Sequence, residues 1–187
     1  MAVSTDDAKG ANLKVILTLV LMMWLAACSL LPTSFSQPAQ LQLLSPMDGP
    51  SARLLKQKIT LETQPQQQWL VILRLQHDLV QWLALSPTGQ PLLSLQYDGH
   101  TLVEDNYLSI DINSVDILAT MQFVFWPVSS ITQHYSASDG WDVRISADRR
   151  VLQHAGNTLL EVTFLAKGII INNHIHHYRL NIATLEQ

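Results

Sequence analysis

From residue 56 onward, polar and apolar positions alternate in a way that predicts a run of β-strands. Residues 56–63, Lys-Gln-Lys-Ile-Thr-Leu-Glu-Thr, alternate with period two, and a polar turn around Pro65 follows. Trp69, Val71, Leu73 and Leu75 then share one face of a second strand, while Leu70 and Ile72 make its other face apolar as well. Apolar residues on both faces predict a strand packed on one side and set against a helix or a greasy cavity on the other. Residues 79–85, with Leu79, Leu83 and Leu85 in phase, lead through the turn Ser86-Pro87-Thr88-Gly89 into residues 92–97 and a second turn at Asp98-Gly99. Successive hairpins of this kind predict an antiparallel meander.

The period then changes. Asn113 can cap a helix whose third residue is Asp116, and Pro127 stops it about four turns later. Residues 115–126 are apolar on nearly every side, so this helix needs burial all round and is too short to cross a membrane. A short second helix is expected from Pro127 toward His134. Strands resume at 143–146, 151–154, 158–165 and 169–171, and Asn172-Asn173 is expected to turn the chain into a last strand, 175–182. About four strands, a helical insert and about five more strands give a mainly β, α+β fold: a curved antiparallel sheet, or unclosed β-barrel, with the helix on its concave face.

The N-terminus reads differently. Lys9 and Lys14 precede residues 15–25, apolar but for Thr18, and small Ala26 and Ala27 lead to Cys28. Eleven residues at about 1.5 Å each span only half of a ~30 Å hydrocarbon core, which is the layout of a signal peptide. Leu25-Ala26-Ala27-Cys28 resembles the bacterial lipobox, so residues 1–27 are expected to be a lipoprotein signal peptide and Cys28 the lipidated residue. Cys28 is the single cysteine, which excludes an intramolecular disulfide. The expected anchor is covalent lipid, with no other cofactor. Two or three acyl chains hold a protein stably on a membrane where one does not. Ser29 follows the cysteine where an Asp would resemble the inner-membrane retention signal, so an outer-membrane, periplasm-facing location is expected.

Residues 28–40, with Pro32, Pro38 and several Ser and Gln, read as a lipidated flexible tether, and residues 41–187 as one domain. The formal net charge of −4 and the lack of any basic block argue against a nucleic-acid partner. The sequence carries no Gly-x-Ser-x-Gly elbow, phosphate-binding glycine loop or His-Glu-x-x-His helix, so no enzymatic activity is expected.

Several stretches carry a resemblance to a known group: residues 83–90 (Leu-Ala-Leu-Ser-Pro-Thr-Gly-Gln), Gln96-Tyr97-Asp98-Gly99, residues 116–127 (Asp-Ile-Leu-Ala-Thr-Met-Gln-Phe-Val-Phe-Trp-Pro), and Tyr178-Arg179-Leu180-Asn181-Ile182. The chain resembles the LolA/LolB lipoprotein carriers and receptors, and most closely an uncharacterised lipoprotein family related to them and often encoded beside aryl-polyene synthesis genes. That resemblance implies a hydrophobic cavity under a helical lid and a lipid-like ligand: a lipid, a polyene-lipid or a lipoprotein's acyl chain, exchanged with another lipoprotein or carrier. In LolB the turn matching residues 86–89 presents an exposed leucine that inserts lipoproteins into the membrane. Here the membrane-facing position is Thr88, which gains far less on entering hydrocarbon than a leucine's ~1.5–3 kcal/mol and weighs against an insertase role.

The expected cavity residues are Leu73, Leu75, Leu83, Leu85, Leu93 and Leu95 on the strands, with Phe123, Phe125 and Trp126 on the lid. Read without the resemblance, a leucine stripe is more often a sealed core than a binding surface. Two function classes therefore stand: a lipoprotein that binds or transfers a hydrophobic ligand, and a structural or interaction lipoprotein with a packed interior. His174 and His176, two apart on an expected strand with His177 beside them, raise a metal site. Without a third or fourth ligand at suitable spacing they read instead as a polar hairpin shoulder. His134, His154, Asp139 and Asp142 read as turn and surface residues, and Trp141 as a packing anchor for the returning strands.

Overall fold

The computed structural model describes residues 39–108 and 113–186. The expected signal peptide, Cys28 and most of the expected tether lie outside the described residues. Within residues 38–187, one compact unit, ten strands form a single antiparallel sheet. The strands are β1 (Arg53–Leu61), β2 (Gln67–Leu75), β3 (Val80–Leu85), β4 (Pro91–Tyr97), β5 (Leu102–Asn106), β6 (Trp141–Ile145), β7 (Arg149–His154), β8 (Asn157–Leu165), β9 (Gly168–Asn173) and β10 (Tyr178–Glu186). Their spatial order, β5-β4-β3-β2-β1-β10-β9-β8-β7-β6, is two five-strand meanders joined by β1 against β10. The sheet is curved and unclosed, and β5 and β6 are its edges.

The insert between those edges is α1 (Ser114–Phe125) and α2 (Val128–His134). Asn113 Oδ1 accepts the Asp116 N–H at 3.2 Å, and Pro127 separates the helices, as the sequence pattern predicts. Leu118, Met121, Phe123 and Val124 of α1 join Leu55, Ile59, Val71, Leu73, Leu93, Leu95, Leu152, Leu160 and Ile182 in one core on the helix side of the sheet. The described residues of that core run from Leu41 to Ile182.

Three expectations are corrected. The first meander has five strands: β5, Leu-Val-Glu-Asp-Asn, is nearly all exposed, so burial leaves no period on it to read. In β3 the inward residues are Val80, Trp82 and Ala84, while Leu83 and Leu85 lie half-buried on the outer face beside Ile72 and Leu70 of β2. Both faces of β3 are apolar, and a one-residue slip in reading such a strand exchanges them. At the far hairpin, Asn172 and Asn173 still belong to β9, residues 174–177 make the turn, and β10 begins at Tyr178. His174 and His176 are therefore turn residues and do not share a strand face.

The chain enters this unit along the helices. Leu41 and Leu44 are buried, and side chains of the insert hold the backbone around them. Gln122 Oε1 accepts the Leu44 N–H at 2.8 Å and its Nε2 donates to Leu44 O at 2.7 Å. Trp126 Nε1 donates to Ser45 O at 3.1 Å, and the Tyr135 hydroxyl donates to Gln42 O at 3.2 Å. Burial pushes the Tyr135 phenol up to about 12. Trp141 is the anchor expected of it, with ring centroids 4.8 Å from Tyr135 and 4.6 Å from His154.

Candidate functional site

The sheet's inner face and the first turns of α1 leave a cavity of about 230 Å³ between them. Ile59 and Leu61 of β1, Trp69 of β2, Trp82 of β3 and Leu180 of β10 wall one side, and Ile117 and Met121 of α1 the other. Period two puts Ile59 and Leu61 on one face of β1, and positions 117 and 121, one turn apart on α1, share a face of the helix. Four polar residues complete the lining: Asn113, Asp116, His176 and Tyr178.

These polar groups organise one another. Asn173, buried at the end of β9, accepts the backbone N–H groups of Ile175 and His176 on its Oδ1, each at 2.9 Å. Its Nδ2 donates to the Tyr178 hydroxyl at 3.1 Å. One amide thus shapes the turn that carries His176 and holds the Tyr178 hydroxyl. The His176 ring stacks on Tyr178 at 6.4 Å and 6°, and its Nε2 donates to the carboxylate of Asp116. Asp116 has a side chain only 6% exposed and sits in the first turn of α1, where the helix dipole favours a negative charge. Burial raises the Tyr178 phenol, partly offset by side-chain hydrogen bonds, and the Asp116 carboxylate adds to the rise, so Tyr178 faces the cavity as a neutral phenol. Trp82 is buried and its indole N–H has no hydrogen-bond partner; neither has the amide of Gln57, one inward position along β1 from Ile59.

None of the nine residues expected to line a cavity lines this one. Leu73, Leu75, Leu93, Leu95, Phe123 and Trp126 are all at most 2% exposed and belong to the packed core. Leu83 and Leu85 face outward, and Phe125 is half-buried at the helix end with the Arg53 guanidinium 5.5 Å above its ring. Thr88 is exposed at the tip of the β3–β4 turn, its hydroxyl 2.8 Å from that of Ser86. Sequence reading passed over Asp116, Asn173 and Tyr178. An aspartate where a capping box carries Glu or Gln is a faint signal at Asp116. The pairing of Asp116 with His176, 60 residues away, leaves no local trace. Among the described residues no group of three or more His, Cys, Asp or Glu is arranged to hold a metal, and no helix is long and apolar enough to cross a membrane.

No curated protein matches the sequence. One protein-family profile, described as a protein of unknown function (DUF3261), matches residues 54–186, from the second residue of β1 to the end of β10. That span holds both helices, every described residue lining the cavity and all ten strands but for Arg53, the first residue of β1, and on it the chain belongs to the DUF3261 family.

Proposed function

We propose that the protein is a lipoprotein anchored through Cys28 in the outer membrane, facing the periplasm, and that it binds one hydrocarbon chain of a lipid-like ligand between α1 and the sheet. The proposed fold relationship is to the LolA/LolB group, with α1 as the lid. The observation that carries the reading is the apolar cavity beneath the first turns of that helix. Its volume, about 230 Å³, exceeds the ~150 Å³ that holds a benzene and falls short of the ~300–1,000 Å³ usual for whole drug-sized ligands. That magnitude favours the end of one acyl or polyene chain over the several chains of an acylated lipoprotein. The β3–β4 turn, polar at its tip, supports binding over insertion of clients into the membrane. The role proposed is binding without catalysis.

A second reading has its own support. The six deeply buried residues of the expected cavity form a filled core, as a structural or interaction lipoprotein would have.

Native mass spectrometry separates the two. The full-length protein, purified from a bacterial envelope, is expected to carry a noncovalent lipid adduct beyond its own anchor that Ile117→Trp, which fills the cavity, abolishes without lowering Tm. A clean apo mass for the unaltered protein would leave the packed scaffold as the reading.

A further inference from the structure

Among the described residues, the polar side of the cavity carries the Asp116 carboxylate and no Lys or Arg. Of its four polar residues, Asn113 and Tyr178 are neutral, and the Nε2–H of His176 is already given to Asp116. The nearest basic residue along β10, Arg179, points to the other face and lies 3.5 Å from Glu62. A free carboxylate or phosphate entering here would lose its water beside the Asp116 carboxylate, which already occupies the first turn of α1 where the helix dipole favours a negative charge, with no Lys or Arg in the lining to receive it. An uncharged oxygen-bearing head meets the reverse. It can accept from the Asn113 amide or the Tyr178 hydroxyl, and the buried Trp82 indole N–H and Gln57 amide, both without partners, are neutral as well.

The geometry points to a head-group filter: the site takes an aliphatic chain in ester or amide linkage and rejects the free fatty acid, with Asp116, held by His176, as the residue that sets the choice. This rests on the cavity being a ligand site, and it names the chemistry of that ligand. Linked acyl chains are what glycerolipids (ester) and acylated protein N-termini (amide) present; free carboxylates are what their hydrolysis yields.

The test titrates residues 38–187 at pH 8 with methyl decanoate, N-methyldecanamide and decanoate, each below its aggregation concentration, following the fluorescence of Trp69 and Trp82 in the cavity wall. Both neutral probes are expected to bind at least tenfold more tightly than decanoate, and the tighter of the two indicates the ester or the amide source. Asp116→Asn should narrow the gap to within about threefold by improving decanoate binding. His176→Gln keeps the Asp116 charge and should keep the gap, a control if the first variant folds poorly. Decanoate binding as tightly as the neutral probes, or a gap unchanged in Asp116→Asn, overturns the filter and leaves the cavity reading in place. If none of the three probes binds, the cavity reading itself fails.

Discussion

Gln122 is a polar residue in a mostly apolar helix, and it is fully buried. Its amide pairs with both backbone groups of Leu44, much as a neighbouring strand would. An apolar replacement leaves a buried N–H and a buried C=O unmatched, each costing about 1–3 kcal/mol. Gln122→Leu is therefore expected to destabilise the unit by about 2–4 kcal/mol in urea unfolding. The same change should speed proteolysis near residues 41–48. Thr88→Ala, at an exposed turn, should stay within about 0.5 kcal/mol. A Gln122→Leu protein as stable as the parent would mean that the entering segment contributes nothing to the fold. Composition hides this residue, because a lone Gln among Met, Phe and Val reads as a small defect in an apolar stripe.

At the scale of elements, α1 is held at both ends by groups from outside its own sequence. Asp116 ties its first turn to the β9–β10 turn through His176. At the other end Arg150 of β7 donates from one nitrogen to Phe123 O at 2.8 Å and Trp126 O at 3.0 Å, while its guanidinium lies 5.4 Å over the Phe164 ring. A cation on the last carbonyls satisfies acceptors the helix leaves open and complements its dipole. Arg150→Met should cost about 1–3 kcal/mol and speed hydrogen exchange in the last turn of α1, leaving β2 and β3 amides unchanged. Arg150→Lys should recover only part of this, since a single ammonium lacks the planar guanidinium that stacks on Phe164. The start and stop of the helix were legible from Asn113 and Pro127, which act on their own neighbours. Its two tethers were not, because His176 in the β9–β10 turn and Arg150 of β7 reach it from 60 and about 25 residues away.

For the whole molecule, the joint between β1 and β10 decides whether there is one sheet or two. Ile59 pairs with Ile182 across it, and both are buried. Ile59→Ala is expected to cost about 2–5 kcal/mol, and Val143→Ala on the edge strand β6 under about 1.5 kcal/mol. The unfolding transition should remain single, with the fluorescence of Trp82 in one meander and Trp141 in the other changing together. Two separated transitions would show that the meanders are independent, contrary to the shared core they form with α1.

The amino-acid pattern alone determined the mainly β class, most strand positions, both helices and the Asn113 cap of the first, because alternation, the 3.6 period, Asn113 and Pro127 act through neighbours a few residues away. It also located the inward face of β2, where Arg74 interrupts the outer face late in the strand and gives the alternation a phase. It could not do so for β3, where Trp82 and Ala84 oppose Leu83 and Leu85 and hydrophobicity is balanced on the two sides. Nor could it find β5, an edge strand that buries almost nothing. Tertiary structure decided which apolar residues were needed to fill the core and which were left around a space. The leucines of β2 and β4 meet α1 and seal. The cavity opens instead where the first turns of the helix approach β1 and β10, strands about 120 residues apart in sequence whose pairing only the folded chain creates.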